Sequence, residues 1–216
     1  QKPEEFMGQE WIVPTLPAWA PQKSIKDSFD KLWDIYNEWI PSIIEGIYVH
    51  GSYATDDFVE SSDLDLIYIL SDETAEFSDW LMALRAGLES TTEIFKAIDP
   101  LQHHGPYILT HKIMHNYLES YLPVDVWRES RSIWGPQTLT FYVQNSDYHN
   151  KLWFQKSVEY YNKPIKLDTL YDRKKFVCMA CMIPAVAYPY VTGKYTTKQK
   201  TAEWMAKEYP ASAPWL

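Results

Sequence analysis

The sequence contains little cysteine and no long apolar run. Its two cysteines, Cys178 and Cys181, stand in an apolar stretch, and no second pair completes a zinc ligand set. We therefore predict core thiols in a reducing compartment rather than a redox or metal site. No apolar run approaches the ~20 residues that span a bilayer, and no basic-then-apolar signal segment opens the sequence. From these absences we expect a cytoplasmic protein with no membrane partner.

Basic residues are also scarce. Lys and Arg number 20 against 29 Asp and Glu, which gives a net charge of −9. Binding along nucleic acid relies on basic patches, so we expect no nucleic-acid partner, and the acidity fits a cationic partner better. Apolar and aromatic residues are abundant, since 46% of the chain is hydrophobic and it holds 10 Trp and 16 Tyr. That composition over 216 residues predicts a folded chain of one large or two small domains.

The order of the predicted elements indicates two domains. Apolar residues recur at helical spacing from Ser24, a predicted N-cap, to Trp39, and Pro41 is predicted to end this helix. Strands are predicted at about 45–50, 63–70, 105–110 and 122–129, a helix capped by Thr74 at about 74–90, and helices alone after residue 145. We expect an α+β fold: an N-terminal domain, 1–140, with a mixed sheet, flanking helices and an irregular arm, then a helical domain, 141–216.

The stretch "HGSYATDDFVESSDLDLIYIL", residues 50–70, carries the main functional signal. Alternate side chains of a strand share a face, so Asp63 and Asp65 point the same way, away from the packed apolar face. Two neighbouring carboxylates repel each other unless a cation lies between them. Mg²⁺ commonly binds through one or two carboxylates plus substrate phosphates. The pair is therefore predicted to bind Mg²⁺.

Gly51 and Ser52 follow the preceding strand. Glycine lets the backbone approach a phosphate closely, and the serine hydroxyl adds a donor, so this turn and the carboxylate pair would hold a nucleoside triphosphate from both sides. Transfer also needs a base or metal ligand beside the attacking hydroxyl. Asp125, between valines in a predicted strand, is the first candidate for either role and Glu129 the second. The alternative for Asp125 is a solvated or ion-paired strand residue.

These residues resemble the signature of the nucleotidyltransferase superfamily that includes DNA polymerase beta: a strand, Gly-Ser, a spacer, and Asp-x-Asp on the next strand. Within that superfamily the sequence is most similar to the adenylyltransferases that modify the aminoglycosides streptomycin and spectinomycin. The tail "VTGKYTTKQKTAEWMAKEYPA", residues 191–211, is similar to their C-terminal motif. The order of a nucleotidyltransferase core followed by a helical bundle agrees as well.

The resemblance implies ATP-dependent and Mg²⁺-dependent transfer of AMP to a hydroxyl of a small molecule such as an aminoglycoside. The residues that it assigns are Asp63 and Asp65 for the metal, Ser52 and Ser62 for the phosphates, and Lys198 for the triphosphate. Lys194 is the less favoured phosphate contact, and a solvated helix lysine is the alternative for Lys198. Two other functions stay open. Protein AMPylation is disfavoured because such relatives are single small domains, and a module that has lost catalysis is disfavoured by the intact Asp-x-Asp.

Two further groups of residues are predicted to be structural. His103, His104, His111 and His115 cluster in sequence but lack the glutamate of the His-Glu-x-x-His zinc motif. Their alternative is that His103 or His104 borders the acceptor pocket. Trp127, Trp134 and Trp153 are predicted to be core residues in an aromatic-rich chain, with an acceptor cleft between the domains as the alternative.

Overall fold

The computed structural model describes residues 9–60, 62–102, 105–144, 147–164 and 166–211. Contacts within the chain divide it into two compact units. The sheet unit comprises Glu10–Tyr117 and Arg128–Tyr142, and the helical unit comprises Leu118–Trp127 and the residues from Val143 onward. The domain boundary near residue 140 stays a prediction.

The elements follow one another along the chain without a repeat. The first part contains β1 (Gln9–Val13), α1 (Lys26–Ile43), β2 (Ile44–His50), α2 (Ser52–Thr55), β3 (Asp65–Leu70), α3 (Asp72–Glu76), α4 (Ser78–Ile98), β4 (Tyr107–Thr110) and α5 (His111–Met114). The second part contains α6 (Val124–Glu129), β5 (Arg131–Trp134), β6 (Leu139–Val143), α7 (Asp147–Tyr161), α8 (Leu170–Ala180), α9 (Ile183–Thr192) and α10 (Lys198–Glu208).

A mixed four-stranded sheet, in the order β4-β3-β2-β5, organises the sheet unit. Strand β2 is antiparallel to both β3 and β5, whereas β3 and β4 run parallel. Strands β1 and β6 form a separate two-stranded sheet. The predicted α+β class, with a mixed sheet at the N-terminal side and a helical C-terminal region, is confirmed.

One face of the four-stranded sheet packs on α1 and α4, and the strand alternation decides which residues it buries. Val49 pairs with Leu66 and Ile47 pairs with Tyr68, so these residues share the packed face. The next pair along, His50 and Asp65, therefore lies on the opposite face. A step of one residue along each strand therefore leads from the apolar face to the opposite, polar face at the end of β2 and the start of β3.

The predicted limits of two helices were wrong. Helix α1 begins at Lys26 with no side-chain cap from its N-cap residue, and it continues past Pro41 to Ile43. The packing of its apolar stripe outweighs the one hydrogen bond that a proline removes. Thr74 is not a helix cap either: Ser71 caps the short α3, and the Thr74 hydroxyl donates to the carbonyl of Ile43.

The strand predicted at 122–129 was also wrong, because Val124–Glu129 forms helix α6. Val124 and Trp127 are both fully buried, and their three-residue spacing places them on one side of a helix. The carboxylate of Glu119 accepts a hydrogen bond from the Val124 N–H at 3.1 Å, which satisfies a donor in the first turn. The apolar residues of "PVDVW", residues 123–127, therefore mark the buried side of a helix and not one face of a strand.

In the helical unit, α9 packs against both α7 and α10. Helices α8 and α9 are separated by a break between Ala180 and Ile183, and Pro184 stands in the first turn of α9. Cys178 is half-buried and Cys181 is exposed, so the prediction of core thiols was wrong. Among the described residues one stretch, Leu170–Thr192, could cross a membrane by length and composition alone, which is weak evidence and departs from the expectation of no such run.

Candidate functional site

The turn that follows β2 lies directly against the first residue of β3. Gly51 has φ +68° and ψ −154°, a conformation that is essentially restricted to glycine. A Cβ added to Gly51 would lie 2.6 Å from Oδ2 of Asp65, far closer than van der Waals contact allows. The backbone of the turn and the carboxylate of Asp65 are therefore in contact.

The two carboxylates of the motif flank core residues. Leu64 and Leu66 are each 1% exposed and belong to the packed core, so Asp63 and Asp65 alternate with them on the other side. Both aspartates are half-buried, yet Oδ2 of Asp63 and Oδ1 of Asp65 are shielded from solvent. Carboxylate oxygens withdrawn from water need a paired charge, a donor or a metal ion. This donor set fits a hard divalent cation such as Mg²⁺.

The short helix α2 carries a tyrosine that experiences the charge of Asp63. Burial raises the pKa of the Tyr53 hydroxyl, and the negative charges of Asp99 and Asp63 raise it further. The Tyr53 ring stacks on Phe58 with 4.9 Å between ring centroids. Gly51 thus contacts Asp65, and Tyr53 lies within the electrostatic range of Asp63.

Ser62 closes a turn immediately before Asp63. Its hydroxyl oxygen accepts a hydrogen bond from the Val59 N–H at 2.9 Å, and its own N–H donates to the Val59 carbonyl at 2.9 Å. Because the hydroxyl acts as acceptor in this bond, its proton is available for donation to another acceptor. This placement is compatible with the predicted phosphate contact.

His50 is a residue of this site that the sequence analysis missed. It ends β2, pairs directly opposite Asp65 and is 8% exposed. Its ring centroid lies 5.5 Å from that of Tyr107 on β4. The signal was the antiparallel register of β2 and β3, which a single sequence does not reveal.

Asp125 belongs to the helical unit, whereas Asp63 and Asp65 belong to the sheet unit. Its Oδ2 accepts a hydrogen bond from Thr196 Oγ1 at 2.7 Å and lies 3.7 Å from Lys200 Nζ. These contacts fix the orientation of the carboxylate from the start of α10. Its role as base or metal ligand stays a prediction.

The two lysines predicted to contact phosphate lie near the start of α10. Lys198 is the exposed first residue of α10, and Lys194 is exposed just after the Gly193 cap of α9. Among the described residues, no three His, Cys, Asp or Glu side chains come together to hold a metal ion. Two carboxylates such as Asp63 and Asp65 can bind Mg²⁺ together with substrate phosphates and water.

His111, His115, Trp127 and Trp134 make structural contacts, whereas the prediction that Trp153 is a core residue was wrong, because its side chain is exposed. His111 contacts the carboxylate of Glu45, and the His115 ring lies edge-on to Tyr142. His103 and His104 lie outside the described residues. Of the three tryptophans, Trp127 is fully buried, Trp134 packs against the core of the sheet unit, and Trp153 is 51% exposed.

A family model matches the part of the sequence that contains the motif. No curated protein matches the sequence. A solved chain from Sulfolobus solfataricus described as a "putative nucleotidyltransferase" is 15% identical, with 44% of this chain and 80% of that chain covered and a TM-score of 0.22. Residues 31–117 match the family described as "Polymerase beta, Nucleotidyltransferase", and they include the Gly51–Ser52 turn, Asp63 and Asp65. Residues 31–117 are therefore similar to a polymerase beta-like nucleotidyltransferase domain, and this similarity supports a general nucleotidyl-transfer function.

Proposed function

We propose that the chain is an adenylyltransferase that transfers AMP from ATP to a hydroxyl of a small molecule, with Mg²⁺ bound. The observation that carries the proposal is the contact between the Gly51 backbone and the Asp65 carboxylate, two residues after Asp63, inside the matching segment. A phosphate-binding turn and a metal-binding carboxylate side by side are what nucleotidyl transfer requires.

Each residue of the turn and the pair has a defined task. Asp63 and Asp65 would hold Mg²⁺, which when bound neutralises charge on the phosphate oxygens. The backbone of Gly51 and the hydroxyl of Ser52 would bind the phosphates that leave, and the hydroxyl of Ser62 would donate to a further phosphate oxygen. Lys198 would supply a positive charge to the triphosphate. The chain thereby orients the α-phosphate for attack by the acceptor hydroxyl.

Asp125 is proposed as the group that accepts the proton of the attacking hydroxyl. Thr196 and Lys200 both contact its Oδ2, so the carboxylate is held in one orientation. A fixed carboxylate is better suited to general-base catalysis than a mobile one. Asp125→Asn should therefore lower kcat strongly and leave the affinity for Mg²⁺ and ATP nearly unchanged.

The acceptor is proposed to be a small cationic molecule, with aminoglycosides as the leading class, and the enzyme is proposed to act in the cytoplasm. Residues 1–140 contain 23 of the 29 acidic residues of the chain and 9 of its 20 basic residues. A surface with that balance attracts cations and repels anions. The resemblance to streptomycin and spectinomycin adenylyltransferases supports the same class.

The decisive experiment follows labelled AMP from ATP to a panel of aminoglycosides, lincosamides and candidate proteins, with Mg²⁺ and with EDTA. Asp63→Asn and Asp65→Asn should each abolish transfer, whereas Asp34→Asn, a change at an exposed position of α1, should not. Circular dichroism checks that the variants remain folded. Full transfer by Asp63→Asn would contradict the mechanism. Labelling of proteins and of no small molecule would show that the acceptor is a protein.

A further inference from the structure

The Gly51–Ser52 turn is held in place by residues that lie outside the family match. Helix α2 has four residues, which is too short to be stable on its own. The side chains that bind its C-terminal end come from positions 19, 22 and 131, whereas the match covers 31–117. The phosphate turn therefore depends on parts of the chain that the family signature does not include.

Three side chains bind the last turn of α2. Trp19 Nε1 donates to the Tyr53 carbonyl at 3.0 Å. Gln22 Nε2 donates to Asp56 Oδ1 at 3.2 Å. The Arg131 guanidinium forms two bonds, from Nε to the Ala54 carbonyl and from Nη2 to Asp56 Oδ2 at 3.1 Å. Two carbonyl groups at the end of the helix and both oxygens of one carboxylate are thereby satisfied.

Asp56 itself adopts a conformation that needs support. Its φ is +64°, and it is the only non-glycine residue with a positive φ among those that the structure describes. Aspartate enters this left-handed region more readily than most residues, but still at a cost. Arg131 and Gln22 hold its two carboxylate oxygens from different directions, which keeps the chain reversal after α2 in one conformation.

The donors are themselves fixed to one another. The N–H of Trp19 donates to the Ser132 carbonyl, and the N–H of Ser132 donates to the Pro17 carbonyl, both at 2.8 Å. Arg131 pairs with Val49 of β2, the strand that leads into Gly51. The N-terminal arm, β5 and β2 therefore form a continuous frame around the turn.

We propose that Trp19, Gln22 and Arg131 form a brace that orders the phosphate-binding turn before the nucleotide arrives, with Arg131 as its main positioning residue. This inference rests on the proposed function. The guanidinium fork spans two acceptors two residues apart, which a lysine ammonium cannot reproduce with the same geometry. A turn ordered in advance binds phosphate without a further loss of chain entropy, so the brace acts on nucleotide affinity rather than on chemistry.

The test combines calorimetric binding of ATP with Mg²⁺ and steady-state transfer. Arg131→Met should weaken ATP binding and raise KM for ATP by about tenfold, with kcat changed by less than about threefold. Arg131→Lys should recover part of the affinity. The matched control is Arg85→Met, which removes an exposed ion pair to Glu89 on α4 and should leave ATP binding unchanged. Wild-type ATP affinity in Arg131→Met, or a fall in kcat alone, would overturn the inference.

A measurement without nucleotide separates the brace from the proposed function. Amide hydrogen exchange of residues 51–57 should be faster in Arg131→Met than in the wild type and the Arg85→Met control. Combining Asp56→Asn with Arg131→Met should add little further exchange, because both changes break the same contact. Unchanged exchange in Arg131→Met would overturn the brace. If exchange of residues 51–57 is faster in Arg131→Met as expected but the wild-type protein does not bind ATP, the brace stands and the proposed function is rejected.

Discussion

Gly51 is limited both by its backbone conformation and by the Asp65 carboxylate against which it packs. Gly51→Ala should destabilise the fold by at least about 3 kcal/mol. Backbone strain alone costs about 1–3 kcal/mol, and the new Cβ would also lie 2.6 Å from Oδ2 of Asp65. Gly193→Ala is the matched control, because Gly193 has φ +67° and nothing within 4 Å of its added Cβ. It should lower the free energy of unfolding by only about 1–2 kcal/mol. Urea unfolding measures both, and equal losses would contradict the close packing of the turn.

The hydroxyls of Tyr36 and Tyr68 bond to each other in the core beneath the sheet. Burial raises the pKa of both tyrosines above the ordinary value of 10.0. Both are therefore neutral in the folded chain, and their contribution to stability is complete below pH ~10 and is lost as the pH rises above it, because only the unfolded chain ionises.

Replacing both tyrosines by phenylalanine removes this pH dependence without leaving one buried hydroxyl alone. The Tyr36→Phe, Tyr68→Phe double variant should lose about 2–3 kcal/mol less stability than the wild type between pH 8 and 11. Tyr209→Phe, at a position 51% exposed, serves as the control and should behave as the wild type. The measurement is urea unfolding at each pH, and parallel losses in all three proteins would refute the assignment.

Sequence reasoning located the residues of the motif because they are close together along the chain. Gly51, Asp63 and Asp65 occupy adjacent ends of two strands that a short spacer connects, so alternation and turn chemistry were sufficient. Arg131 was not predictable as a neighbour of α2, because it follows Ala54 by 77 residues and reaches it only through the pairing of β5 with β2. His50 was missed because its position opposite Asp65 depends on the antiparallel register of β2 and β3, which alternation alone does not reveal.

At the scale of elements, α8 is the helix that depends most on its own ends. It has no fully buried residue, so tertiary packing contributes little to it. A capping box holds its start: Thr169 Oγ1 accepts from the Asp172 N–H at 3.0 Å, and the Asp172 carboxylate accepts from the Thr169 N–H at 3.1 Å. The stability of this helix is therefore governed by these reciprocal bonds.

Thr169→Ala should destabilise α8 locally by about 1 kcal/mol. Amide hydrogen exchange within Leu170–Ala180 should become roughly fivefold faster, while exchange in the strands of the sheet unit stays unchanged. Thr92→Ala, at an exposed position of α4, is the matched control. Exchange in α8 that does not respond to the loss of Thr169 would show that other contacts hold the helix.

Elements with local signals were predictable and those that depend on distant partners were not. Strands β2 and β3 are apolar runs bounded by turns, and both were predicted. Strand β5 has four residues and finds its place only by pairing with β2, so its sequence alone gave no signal. The helix α6 was mistaken for a strand because six residues are too few to separate a period of two from one of 3.6.

At the scale of the whole chain, the position of β6 predicts where an N-terminal fragment must end to be stable. The predicted boundary at residue 140 would divide β6, which pairs with β1, and would remove Phe141, a residue with no exposed surface. A fragment of residues 9–144 should therefore be more stable than a fragment of residues 9–140 by about 2–3 kcal/mol. Urea unfolding of the two fragments measures the difference. Equal stability would support the boundary at residue 140.

The bond between Arg131 and the Ala54 carbonyl also has a consequence for synthesis of the chain. Arg131 follows Ala54 by 77 residues, so the turn that is proposed to bind phosphate emerges from the ribosome well before its support. At roughly 5–20 residues per second, that delay lasts on the order of several seconds. During it, β2 lacks its β5 neighbour and presents an unpaired edge to other chains. The nascent protein thus passes through a period in which this edge of β2 is open to aggregation, and the pairing of a single short strand, β5, ends that exposure.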